Sequence, residues 1–182
     1  MSEQQTTASP AYVLGADEGV VDLWWPYGPQ AGRYTVKASG EQSEGRLVQM
    51  LAREHRGAMV PLHSHRDVDE TFFVISGELS VVVGDERFEA RAGDYVFGPR
   101  GVPHAWMVTS EEAELLVTCA GAGTPGPEGY GMIGFFAEVA TPVAEGAEPP
   151  APAMPDEQLF ATRMDAYGID LLGPPPFGPP AA

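Results

Sequence analysis

The chain has 182 residues, a formal net charge of −16 and a pI near 4.4. That charge excludes a phosphate backbone or an anionic membrane surface as a partner, because both would repel it. The length suits one domain with a sizeable core and tails to spare.

Residues 1–12, which open MSEQQTTASP, are polar and read as a flexible N-terminal tail. They hold neither a basic nor an apolar targeting region, and no later apolar run approaches the length of a bilayer span. A cytoplasmic location is the expectation. Strands are then predicted at Val20 to Trp25, Arg33 to Ala38 and Arg46 to Arg53, separated by Gly-rich turns. Trp24 and Trp25 read as core or dimer-contact residues. His55, after Glu54, reads as a surface histidine.

Next comes Gly57-AMVPL-His63-Ser-His65-RDVD-Glu70-TFFVIS-Gly77. Strand side chains alternate faces, so His63 and His65 project to the same side and can grip one cation. Glu70 follows a turn-like stretch and opens an apolar run, so it can point back into the same interior. Asp67 and Asp69 read as solvated bystanders. Strands continue at Glu70 to Ser76, Glu78 to Val83 and Glu86 to Arg91, with Gly84-Asp85 as a two-residue hairpin turn. A second segment, Gly93-DYVFG-Pro99-Arg100-Gly101-Val102-Pro103-His104, brings a third histidine at the start of a strand running to Thr109. Tyr95 to Phe97 and Ala113 to Cys119 complete the series. Short strands without intervening helices imply an antiparallel sandwich or barrel over 13–120. Cys119, the single cysteine, reads as a buried, inert thiol.

Three neutral imidazoles and one carboxylate, from His63, His65, His104 and Glu70, suit a divalent transition metal: nickel, manganese, iron, cobalt, copper or zinc. Up to two positions stay open on an octahedral ion, as catalysis requires. Alternation from Glu70 turns Phe72 and Val74 toward the ligands, and alternation from His104 turns Trp106 and Val108 inward. These residues either wall an apolar pocket for a flat or aromatic small molecule or simply fill a small barrel.

Beyond Cys119 the character changes. Met132, Phe135, Phe136 and Val139 recur at helical spacing, as do Phe160, Met164 and Tyr167 before a Gly168 stop. Ten of the eighteen prolines fall in the last 41 residues, so regular sheet is not expected there. The reading is a helical appendage with a Pro-rich linker over 121–172 and an extended Pro-rich tail over 173–182. The apolar stripes pack on the barrel or a second subunit, or form a lid.

The two segments, G-x5-H-x-H-x4-E-x6-G and G-x5-P-x-G-x2-H with fifteen residues between them, resemble the paired signature motifs of the cupin superfamily. That resemblance implies an all-β double-stranded β-helix, or jelly-roll barrel, with one or two short C-terminal helices. Within the superfamily the chain looks most like the bacterial single-cupin quercetinases, flavonol dioxygenases. Those cupins often carry Asn where this chain has Val108. The resemblance implies that His63, His65 and His104 hold the metal, while Glu70 takes the flavonol 3-hydroxyl proton. Dioxygen then opens the heterocycle and carbon monoxide leaves. A Glu70 pKa raised by Phe72 and Trp106 would serve that role. The resemblance also implies a homodimer, with Val20 to Trp25 a candidate for strand exchange. The same residues suit a non-redox isomerase, cyclase or lyase acting on a polyketide-like or other oxygenated small molecule, or a metal-bound binding module.

Overall fold

The computed structural model describes residues 10–121, 123 and 125–178. The tail expected at 1–12 therefore lies mostly outside the described residues, as does the end of the one at 173–182. Tyr12 is described, and its hydroxyl donates to the Lys37 carbonyl at 2.7 Å.

β1 (Val21–Trp25) and β2 (Gly32–Ala38) form an antiparallel hairpin, and the one-turn helix α1 (Gly40–Ser43) leads into β3 (Leu47–His55). β4 (Leu62–His65) and β5 (Val68–Ser76) follow. β6 (Glu78–Val83) turns into β7 (Glu86–Arg91) with Val83 opposite Glu86. Gly84, at φ 60°, takes the positive angle that a type II′ turn needs at its first central position. β8 (Tyr95–Gly98), β9 (His104–Val108) and β10 (Glu112–Gly121) end the run. The strands expected from alternation are thus present, with ends moved by a few residues.

After them come a ribbon of β11 (Pro125–Gly126) and β12 (Gly129–Tyr130), helix α2 (Gly131–Val139), and β13 (Thr141–Pro142). Helix α3 (Glu157–Ala166) and β14 (Ile169–Gly173) close the described chain. The larger sheet has the order β13-β1-β2-β3-β10-β5-β8 and the smaller β14-β4-β9-β6-β7. Among the described residues every pairing is antiparallel.

Alternation decides the core. Phe72 and Val74 of β5 are buried, while Phe73 and Ile75 are each 41 % exposed on the outer face. Met50, Leu79, Val81, Trp106, Val108 and Leu115 meet them from both sheets in one cluster.

The proline-rich region does contain sheet, against expectation. β14 lies between the proline clusters and pairs with β4, Ile169 opposite His65 and Leu171 opposite His63. Pro142 is tolerated in β13 because that strand is the edge of the larger sheet. β13 in turn covers β1, so the strand expected as a candidate for exchange is bonded on both sides within its own chain.

Helices α2 and α3 pack on each other and on β1 and β2. Asp156 caps α3 by accepting from the Leu159 amide at 2.8 Å. Phe135 and Phe136 of α2 and Phe160 of α3 pack around Trp25, with Phe136 5.1 Å from both the Trp25 and Tyr34 rings, centroid to centroid. Arg66, next to His65, pairs with Asp165 of α3 and Asp170 of β14, fixing the appendage to the strand that carries two site histidines.

Candidate metal centre

β4 carries His63 and His65, β5 carries Glu70, and His104 opens β9. His63 stands directly opposite His104 in the β4–β9 ladder, so hydrogen bonding of the backbone fixes their rings side by side. Glu70 lies between Cys119 of β10 and Gly98 of β8 in the other sheet. The site therefore spans the gap between the sheets, and all four side chains are buried.

The four candidate ligand atoms lie within 4.8 Å of one another. Glu70 Oε2 is 2.9 Å from His104 Nε2, 3.4 Å from His65 Nε2 and 3.8 Å from His63 Nε2. A carbonyl can only accept, so the 2.9 Å contacts from His63 Nδ1 to Pro61 O and from His104 Nδ1 to Val102 O place a proton on each Nδ1. Those bonds orient the rings and direct Nε2 toward the common centre. His65 Nε2 is buried without a hydrogen-bond partner. A buried orphan nitrogen aimed among two other imidazoles and a carboxylate fits a divalent ion, which would satisfy it.

Burial, and then the neighbouring His104 and His65, bring the His63 pKa down to about 3, so this imidazole is neutral and ready to ligate. Burial works against a charge on His104, yet its hydrogen bond to Glu70 raises its pKa above the ordinary value. The same balance corrects the expectation for Glu70. Its apolar burial does push the pKa upward, but the charge of His65 and the hydrogen bond from His104 win and hold the carboxyl well below the usual range. Glu70 is thus ionised, as metal ligation would require.

A cavity of about 50 Å³ adjoins the ligands. Of the residues expected around it, Phe72 and Trp106 line it, with His63 and Glu70, whereas Val74 and Val108 lie in the core and are absent from this lining. Its other walls come from places without a local signal: Tyr34 of β2, Met50 and Ala52 of β3, and Met132 and Phe136 of α2. Only the alternation of β3 and the stripe of α2 hinted that these side chains faced inward. Cys119 is buried as expected, but its thiol also lies 3.6 Å from Glu70 Oε1, in donor position toward the carboxylate. His55 is a half-buried surface residue near Glu112, not a fifth ligand.

The family profile described as "Cupin domain" matches residues 50–120, which hold all four of these side chains. Over residues 50–120 the chain is similar to cupin domains. In sequence the chain is 31 % identical over 105 residues to quercetin 2,3-dioxygenase of Bacillus subtilis, which covers 58 % of this chain and 30 % of that protein. It is 39 % identical over 49 residues to an uncharacterized protein of Streptomyces coelicolor, covering 27 % of this chain and 47 % of that one. The chain thus spans less than half the length of these curated relatives. Among solved structures, a predicted oxalate decarboxylase from Thermotoga maritima superposes with TM-score 0.55 at 19 % identity, over 60 % of this chain and 99 % of that one. An RmlC-like cupin from Shewanella frigidimarina gives 0.51 at 21 %, over 63 % and 93 %. These likenesses concern the cupin fold.

In this structure the loops before Glu70 and before His104 are clamped together. Asp69 is not merely solvated: it accepts from the Arg100 amide at 2.9 Å and the guanidinium at 2.8 and 3.1 Å, which lowers its carboxyl to about 2. A second buried carboxyl, Glu54, behaves oppositely. Burial raises it to about 7, although the Tyr34 hydroxyl bond pulls it down. A raised folded value means stability that is complete below the unfolded value of 4.5 and is lost as pH rises through about 7. At about 1.4 kcal/mol per unit the loss is roughly 3 kcal/mol. Glu54→Gln is therefore expected to unfold at higher urea than wild type at pH 8, with the two coinciding near pH 4. Equal differences at both pH values would contradict this origin. No helix among the described residues is long and apolar enough to cross a membrane.

Proposed function

We propose that this chain is a metal-dependent cupin dioxygenase acting on a flavonol-like or related enolisable aromatic substrate. The convergence of His63, His65, Glu70 and His104 carries the reading, and the similarity to the B. subtilis quercetin dioxygenase supports the substrate class. A divalent ion, when bound, would supply Lewis acidity to a substrate oxygen and lower the pKa of its hydroxyl. His63, His65 and His104 would hold such an ion with their Nε2 atoms. Glu70 Oε2, in their midst, accepts the hydroxyl proton. Phe72, Trp106 and Phe136 flank the aromatic rings and keep water from the carbanion-like carbon. Loss of the proton leaves an electron-rich enolate that dioxygen oxidises, with ring opening and release of carbon monoxide.

A drug-sized ligand needs roughly 300 Å³ or more, against the 50 Å³ between these walls, so Met132 and Phe136 must yield for a flavonol to enter. The same small volume favours a second reading: Glu70 shuttling a proton on a smaller carbonyl compound, isomerised or cleaved without oxygen. Metal-loaded protein is mixed with quercetin anaerobically and air is then admitted. The first reading expects consumption and carbon monoxide only after air. Turnover of carbonyl compounds without oxygen, and none of flavonols with any of the six metals, selects the second.

A further inference from the structure

Apart from His63 and Glu70, the residues lining the cavity beside the ligands are apolar except Tyr34, which carries a hydroxyl. It donates to Glu54 Oε1 at 2.6 Å, while the phenol oxygen keeps lone pairs that can accept. Glu54 is only 2 % exposed, and its other oxygen, Oε2, is buried without a partner. Space for this carboxyl is made by Gly32, where a Cβ would stand 2.3 Å from Oε2. Glu54 also borders a second, outer cavity of about 330 Å³, shared with Arg33, Arg53, His55, Glu112 and Glu114. Tyr34 thus touches the inner cavity and Glu54 the outer one, joined by one short hydrogen bond.

We propose that Tyr34 and Glu54 form a two-residue proton relay between the cavity at Glu70 and the water of the outer cavity. The inference rests on the reading of the inner site as one that takes a proton from its substrate. That proton reaches the Tyr34 oxygen through substrate or an intervening water. As the new O–H bond forms, the original Tyr34 O–H bond breaks and its proton passes to Glu54 Oε1. Glu54 then yields a proton to water on the outer side, so both residues return to their starting state and no electrons move. Burial brings Glu54 to about 7, which lets it exchange protons near neutrality. The charged and titratable groups around it are Arg33, Arg53, His55, Glu112 and Glu114 at the outer cavity, and Glu70 acts on Tyr34 from the inner one.

Glu54→Gln keeps an acceptor for the Tyr34 hydroxyl but cannot take up a proton, and Tyr34→Phe keeps the ring. In metal-loaded full chain with quercetin in air, the wild-type kcat is expected to fall as pH drops below about 7, with a solvent deuterium isotope effect. Each variant is expected to lower kcat at least ~10-fold, erase that inflection and leave KM and metal content unchanged. The double variant is expected to fall no further than either single one. An unchanged pH profile and isotope effect, or a loss that tracks metal content, overturns the relay. If wild type consumes no quercetin, the substrate reading fails by itself and infrared titration of the metal-loaded protein decides the relay. A carboxyl band titrating near pH 7, absent in Glu54→Gln and shifted in Tyr34→Phe, upholds it. A Glu54 carboxyl titrating in the ordinary range overturns it.

Discussion

His65→Ala is expected to cost more than ~100-fold in affinity for a transition metal while leaving the metal-free fold comparatively intact. The reason lies in the asymmetry of the three imidazoles. His65 Nε2 lies 3.4 Å from Glu70 Oε2 without hydrogen-bond geometry, so its removal deletes a ligand and a nearby charge but leaves the closer His104 contact to the carboxylate in place. His104 differs. Its Nε2 lies 2.9 Å from Glu70 Oε2 and its Nδ1 is held by Val102, so His104→Ala strips the buried carboxylate of its shortest partner. Removing one member of a buried charged pair costs about 3–5 kcal/mol. His104→Ala is therefore expected to lose both the metal and metal-free stability, whereas His65→Ala loses chiefly the metal. Isothermal titration with each of the six ions and urea unfolding of the metal-free proteins separate the two effects. Equal destabilisation by both variants would contradict the assignment of His104, at 2.9 Å, as the hydrogen-bonded partner of Glu70.

Glu70→Gln is expected to lower turnover by ~10²- to 10⁴-fold, the range associated with loss of a positioned proton acceptor. The amide preserves volume and one oxygen, so substrate affinity is expected to change by only a few-fold. Because His65 and His104 hold the Glu70 carboxyl well below the usual range, no activity limb near neutrality is assigned to it. Equilibrium binding of a fluorescent flavonol, run beside turnover, checks this. Turnover equal to wild type would remove Glu70 from the proton path, and flavonol binding without turnover in either protein would make the domain a binding module.

The four candidate ligands were legible because each sits in a strand whose two-residue period is visible locally, and because His63 and His65 need no tertiary information to share a face. Glu70's electrostatics were not. Phe72 and Trp106 are evident as apolar neighbours, but nothing in a linear chain shows that His104 would come within 2.9 Å of the carboxylate and reverse the effect of burial. Tyr34 and Glu54 meet only through the β2–β3 register, where Tyr34 stands opposite Ala52, two residues before Glu54. β14 was obscured by the prolines on either side of it. Its five residues are strand because β4 would otherwise leave an open edge beside the site, which is a tertiary demand.

One ion is expected to sit among His63, His65, Glu70 and His104. Elemental analysis and X-ray absorption of protein purified without chelating steps test it most directly. About one first-row transition metal per chain is expected, with nitrogen and oxygen scatterers near ~2.0–2.2 Å, and its loss in His65→Ala. Protein that stays metal-free after loading with all six ions, or that holds the same ion with His65 removed, would contradict it.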